Sequence, residues 1–279
     1  MVRDCENGGR KVFLTEKCVM GNVNAVLKLK DQVFGAGIPK ICVPVTEPDA
    51  AGIVRELKRC AALPCSVVEW RADRFAEFRD ARRTGQILMK AAAVFEDIAP
   101  EKLLLFTVRT ASDGGEKVDR DLYFELCTAA LGAADLVDVE FNAGADRVAC
   151  FVREAKPSGT KVIVSYHDFE KTPSEEELIE RMRAMQDTGA DLVKVAVMPR
   201  TSEEVEVLMN ATRTMRCRYA EVPLVTMSMG ELGRKSRIRG EEFGSAMTFA
   251  SAGTASAPGQ IALEELIREM EAFHERSRS

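Results

Sequence analysis

The feature that most constrains this chain is a pattern that repeats eight times without repeating its letters. From residue 40 onward, short apolar runs alternate with longer amphipathic stretches. "KICVPV" leads to "EPDAAGIVRELKRCAAL", "SVVEW" to "ARRTGQILMKAAAVFEDI", "KLLLFTV" to "DRDLYFELCTAALG", and "DLVDVEF" to "ADRVACFVREAK". The second half continues with "KVIVSY" and "PSEEELIERMRAMQDTG", "DLVKVAV" and "TSEEVEVLMNATRTM", "PLVTMS" and a loop, then "SAMTFAS" and "GQIALEELIREMEAF". Runs that are apolar throughout predict strands covered on both faces, which means a parallel sheet under helices. Eight units predict an α/β fold closed into a (β/α)8 TIM barrel, and 279 residues suit one, since such a barrel takes roughly 250. Ser174 in "TPSEEEL" and Ser202 in "PRTSEEVEVL" are the expected helix caps. An open doubly wound sheet is the alternative, but no G-x-G-x-x-G follows the first strand and no G-K-[ST] occurs, so dinucleotide and P-loop readings lack support.

Residues 1–35 fall outside the repeat. They are polar at first and then alternate weakly through "NAVLKLKDQVF", which predicts a short N-terminal β-hairpin extension without chemistry. Residues 36–279 are expected to form a single catalytic barrel. A net charge of −5, with no basic run interleaved with aromatics, gives no footprint for nucleic acid, so any anionic ligand needs locally placed arginines. No apolar run approaches the roughly 18 residues of a membrane span and the start lacks a signal-peptide core, which predicts a cytoplasmic protein with no membrane partner. Eight cysteines form no C-x-x-C pair and none lies near a histidine, so they are expected to be reduced and uninvolved in metal binding or catalysis.

In a barrel of this kind chemistry gathers where strands end and βα loops begin. The polar residues there are Glu69 and Arg71 after the second strand, Arg109 with Asp113 after the third, Ser165, His167 and Asp168 on the fifth, Lys194 within the sixth, and Ser228 on the seventh. Each has a plain structural reading. Glu69 and Arg71 would serve as an internal ion pair, Arg109 would cap its own strand, and a lone histidine is more often structural than catalytic. The basic loop with Arg234, Lys235, Arg237 and Arg239 would be an ordinary wet loop, except that Gly230, Gly233 and Gly240 let it fold over an anion.

Lys194 is harder to explain structurally. An unpaired ammonium inside "DLVKVAV" costs several kcal/mol to desolvate, so the side chain must find a carboxylate in the helix layer or point into the barrel. Inside, desolvation favours the neutral amine, which attacks a ketone; the resulting iminium makes the neighbouring C–H acidic. That chemistry needs a proton shuttle, and His167 lies on the adjacent strand.

The ordered motifs "VVEWRADRF", "LLFTVRTASDGGE", "VIVSYHDFEKTP", "DLVKVAVMP", "VTMSMGELGRKSRIRGEEFGS" and "TASAPGQIAL" closely resemble those of the type I 3-dehydroquinate dehydratases over about residues 36–273. The resemblance implies a hydro-lyase of the shikimate pathway, serving aromatic amino acid biosynthesis. It would act as a homodimer on the small-molecule substrate 3-dehydroquinate and remove water by syn elimination to give 3-dehydroshikimate. It implies that Lys194 forms the imine with the C3 ketone, that His167 takes the C2 proton and returns it to the leaving C1 hydroxyl, and that Arg237 holds the substrate carboxylate. Glu69, Arg71 and Arg109 match residues around the ring hydroxyls and carbonyl, and Phe249, Ser256 and Gln260 match residues that line or close the site. Neither metal nor organic cofactor is implied, because the lysine is the electron sink.

Two positions depart from the family pattern. Asp113 stands where many members carry a glutamate that orients the histidine, and one methylene fewer predicts a longer or water-bridged contact with His167. Pro44 replaces a ligand-contacting serine of some relatives and offers no hydroxyl. Two other readings stay open at this point: another lysine-imine barrel such as a class I aldolase, and a non-catalytic barrel that binds a pathway metabolite. The lack of a phosphate site weighs against the first, and the joint presence of Lys194, His167 and Arg237 against the second.

Overall fold

The computed structural model describes residues 25–253 and 257–278. An antiparallel hairpin of β1 (Leu27–Leu29) and β2 (Gln32–Phe34) opens the described chain. There follow β3 (Lys40–Val45), α1 (Ala50–Ala61), β4 (Val67–Arg71), α2 (Ala81–Ile98), β5 (Leu103–Thr107), α3 (Arg120–Ala129), β6 (Leu136–Glu140) and α4 (Ala145–Ala155). The second half holds β7 (Lys161–Asp168), α5 (Glu175–Asp187), β8 (Leu192–Val197), α6 (Ser202–Arg218), β9 (Leu224–Ser228), α7 (Arg234–Ile238), α8 (Gly240–Phe243), β10 (Met247–Ser251), β11 (Ile261–Ala262) and α9 (Leu263–Arg278). Strands β3 to β10 pair in parallel in chain order. The ring closes where the N–H of Ala246 donates to the carbonyl of Leu224 at 2.7 Å, beside an isolated bridge between Leu224 and Ser245. This is the expected (β/α)8 barrel with its N-terminal hairpin, which lies at residues 27–34; the earlier part of the 1–35 extension lies outside the described residues.

Period-2 geometry sorts every strand into two faces. On β8, Val193, Val195 and Val197 point outward into the main helix-facing core, while Leu192 and Ala196 belong to the apolar interior cluster. The helices answer with one apolar stripe each, as in α1, which buries Ile53, Leu57 and Cys60. Each fully buried large aliphatic side chain there contributes about 1.5–3 kcal/mol.

The inward residues change character along each strand. Toward the N-terminal ends they are Cys42, Val67, Leu103, Leu105, Leu136, Ile163 and Leu192, all with no exposure, and Phe34 from the hairpin closes that end. Two residues further on they become Glu69, Thr107, Asp138, Ser165 and Lys194, all buried. The barrel therefore has a dry floor and a polar mouth, and the mouth is the end where the βα loops emerge.

Some local expectations change. Ser174 caps α5 in a capping box with Glu177, as expected. Thr201, not Ser202, caps α6, because Ser202 already has helical backbone and the Thr201 side chain accepts from the Glu204 N–H. The loop after β9 contains the short helices α7 and α8, which are too brief to show a 3.6-residue period. Cys42, Cys60, Cys65, Cys127 and Cys150 are free, and burial pushes the Cys60 thiol up to about 12. Cys217 is disulfide-bonded, against the expectation of reduced thiols throughout.

Candidate active site

The mouth encloses a cavity of about 270 Å³. Of the residues picked out from the sequence, Glu69, Arg71, Arg109, Asp113, His167, Lys194, Arg237, Phe249 and Gln260 all line it; Ser256 lies outside the described residues. Arg74, Phe169, Met227, Met229 and Pro258 complete much of the wall and were not anticipated.

Lys194 points inward and its side chain is only 5% exposed. Its Nζ donates to Asp138 Oδ2 at 3.1 Å and lies 4.5 Å above the Phe249 ring. The sequence predicts a carboxylate partner only for a side chain facing the helix layer; the carboxylate stands inside the barrel instead. Arg109 forms an ion pair with the same Asp138, donates to Ser165 Oγ at 2.8 Å, and lies 3.6 Å from Glu140. Arg109 is thus no strand cap but the hub of a buried charge network. Together these charges outweigh burial and hold the Asp138 carboxyl far below the usual range.

Asp113 meets His167 directly. Its Oδ2 is 2.9 Å from His167 Nδ1, and its Oδ1 accepts from Asn142 Nδ2 at 3.2 Å. The longer or bridged contact expected from the shortened side chain does not occur. Gly114 takes a left-handed φ of +83° against the Phe169 ring, and Gly115 packs where a Cβ would lie 2.0 Å from the Arg109 carbonyl, so the turn carrying Asp113 folds tightly over the strand end. Phe169 in turn stacks on His167, with ring centroids 6.2 Å apart.

Burial, with the positive charges of Arg109 and Lys194, lowers the His167 imidazole to about 4 despite Asp113. Burial pushes Asp113 the other way, but its bond to His167 and the charge of Arg109 keep it below the usual carboxylate range. At neutral pH an ionised carboxylate only accepts, so the shared hydrogen sits on Nδ1 and Nε2 is the basic nitrogen. Burial raises Glu140 to about 7, helped by nearby Asp113 and opposed by Arg109 and the Thr110 donors.

The other wall is built differently. Arg237 is 1% exposed, its Nη1 contacts Met227 Sδ at 3.7 Å, and its Nη2 donates to the Pro258 carbonyl at 3.1 Å. Among the described residues no carboxylate forms an ion pair with it, its Nε is buried without a partner, and burial alone lowers it to about 10. The neighbouring cations are spoken for: Arg234 bridges Glu265 and Glu269, Lys235 pairs with Glu206, and Arg239 with Glu242. Of these four loop cations, Arg237 alone lines the cavity. Glu69 and Arg71 are not an ion pair; Arg71 forks onto Asp73 at 2.8 and 2.7 Å, and Glu69 accepts from Thr107 Oγ1 at 2.8 Å.

The sequence reading passed over the fourth strand, whose Asp138 and Glu140 supply the network's negative charge. The signal was present: two acids two residues apart in "DLVDVEF" share the inward face with Leu136.

Residues 41–277 match the family described as type I 3-dehydroquinase. The chain is 41% identical over 255 residues to the 3-dehydroquinate dehydratase of Enterococcus faecalis, covering 88% of this chain and 97% of that protein. It is 43% identical over 253 residues to that of Listeria innocua, with the same shares covered. Among solved structures, a type I 3-dehydroquinate dehydratase from Clostridium difficile, crystallised with covalently modified comenic acid, superposes with a TM-score of 0.85 at 39% identity, over 90% of this chain and 98% of that one. The family of this chain follows from these matches: it belongs to the type I 3-dehydroquinases.

Proposed function

We infer that this chain removes water from 3-dehydroquinate to give 3-dehydroshikimate, as a hydro-lyase of the shikimate pathway working through a lysine imine. The observation that carries the reading is one cavity that holds a lysine nitrogen, a neutral histidine and an arginine whose charge no carboxylate among the described residues pairs. A substrate carboxylate supplies the missing partner of Arg237. That contact sets the ring ketone against Lys194, which condenses with it to an iminium and releases one water. His167, held by Asp113, takes the C2 proton through Nε2, the iminium accepts the electrons as an enamine, and the protonated histidine returns the proton to the C1 hydroxyl as it leaves. Hydrolysis frees the amine and the product.

Glu69, Arg71 and Arg109 are proposed to face the hydroxyl and carbonyl region, with Phe249, Ser256 and Gln260 closing the site. That the Clostridium difficile relative was crystallised with covalently modified comenic acid supports a reading that includes covalent chemistry. The same family reading makes residues 36–279 the catalytic unit of a cytoplasmic homodimer; among the described residues no helix is long and apolar enough to cross a membrane.

The experiment is reductive trapping. Borohydride added with 3-dehydroquinate is expected to leave a covalent adduct of substrate mass minus oxygen on Lys194, and Lys194→Ala is expected to abolish turnover. Intact-mass analysis without an adduct, together with unchanged turnover in Lys194→Ala, overturns the mechanism.

A further inference from the structure

Asp138 sits at the centre of β6 with no exposure, and the steps above give it no task. It binds three donors. Arg109 forms an ion pair with it, Lys194 Nζ reaches Oδ2 at 3.1 Å, and Ser165 Oγ donates to Oδ1 at 2.5 Å. Among the described residues it is the one carboxylate in ion-pair contact with Lys194. Strand register makes the arrangement rigid, since Lys194 on β8 pairs with Ser165 on β7, and Ser165 pairs with Glu140 on β6, two residues beyond Asp138.

We infer that Asp138 is a positioning residue that holds the Lys194 nitrogen as ammonium in the free site and as iminium once substrate is attached. The inference rests on the lysine-imine reading above. The charge balance of that step explains the role. An ammonium and a ketone give an iminium and one water: two N–H hydrogens leave with the carbonyl oxygen, the new C=N bond replaces C=O, and the positive charge stays on nitrogen. Asp138 therefore faces a cation before and after the step, while the neutral amine and the neutral carbinolamine between them lose its stabilisation. It forms no bond and takes no proton. Arg109 and Ser165 fix it so that it does not follow the nitrogen into the cavity, and the Phe249 ring flanks the nitrogen with a second attractive face.

This lowers two measurable quantities together when the carboxylate is removed, which a carboxylate that merely neutralises Arg109 would not do. In Asp138→Asn, the pH midpoint of borohydride trapping is expected to move down by about one unit or more, since the neutral amine becomes easier to form. Above that midpoint, where the free nitrogen is the neutral amine, the fraction of enzyme held as iminium at saturating substrate is expected to fall about tenfold, the change equivalent to one such unit. Asp138→Ser with added formate is expected to restore both. Trapping in wild type with an unmoved midpoint and an unchanged imine fraction in these variants overturns the role of Asp138 and leaves the lysine-imine reading intact; no adduct in wild type overturns that reading instead. Should the variants fail to fold, wild-type protein carrying ¹⁵N-lysine decides: a protected imine N–H signal at pH 8 is expected, and an imine nitrogen without a proton sinks the inference.

Discussion

The two walls of the cavity solve the problem of a buried cation in opposite ways. On the β5–β8 wall, Arg109 and Lys194 are matched by Asp138 and Glu140, so the protein satisfies its own charges. On the β9–β10 wall, Arg237 has a thioether and a carbonyl but no carboxylate partner among the described residues. A matched network fixes geometry for bond making. An unmatched guanidinium is costly until a ligand arrives, and that cost is what gives the ligand its orientation.

The largest expected effect comes from cutting each wall in the same way. Arg109→Met leaves buried Glu140 without its ion-pair partner and Asp138 with Lys194 as its one remaining cation, and is expected to destabilise the fold by about 3–5 kcal/mol, as removal of one partner of a buried pair does. Arg237→Met removes a charge that no carboxylate among the described residues pairs, and is expected to leave stability unchanged or raise it. Urea unfolding of both variants decides; equal losses would mean that the walls do not differ and that Arg237 is structural.

The sequence announced one of these walls better than the other. Strand positions, the closed barrel and Lys194 were legible because period-2 patterning and a charge inside an apolar run are local signals. Asp138 posed the same puzzle as Lys194, an ionised group in a buried strand, and the two answer each other across β7, a pairing visible only once register is known. Asp113 showed the opposite limit. Its side-chain length is legible but its reach is not, because the tight turn at Gly114 and Gly115, which places the carboxylate in direct contact with His167, is set by tertiary packing.

A smaller effect sharpens the ligand side of the comparison. Arg237→Met is expected to weaken binding of 3-dehydroquinate by about 1.5–3 kcal/mol, the worth of hydrogen bonds to a charged group, seen mainly as a raised KM. Neutral ring ketones lacking a carboxylate should bind the variant and wild type equally. A variant whose affinity is lost equally for both kinds of ligand would show that Arg237 shapes the pocket and does not read the carboxylate.

The smallest effect tests the matched wall through its protons. Burial holds His167 near 4, against about 6.5 when exposed, so between these values the unfolded chain carries the extra proton and stability rises with pH. Burial holds Glu140 near 7, against 4.5 when exposed, so over that window the folded chain carries the extra proton and stability falls as pH rises. The two slopes, each at most about 1.4 kcal/mol per pH unit, oppose one another between about pH 5 and 6, and wild-type stability should be nearly flat there from these groups. Glu140→Gln leaves the histidine slope alone and should make stability climb across that window, whereas His167→Ala leaves the glutamate slope and should make it decline. Urea unfolding at pH 5 and 6 measures both, and parallel slopes in the two variants would show that the histidine and the glutamate do not titrate against each other within one network.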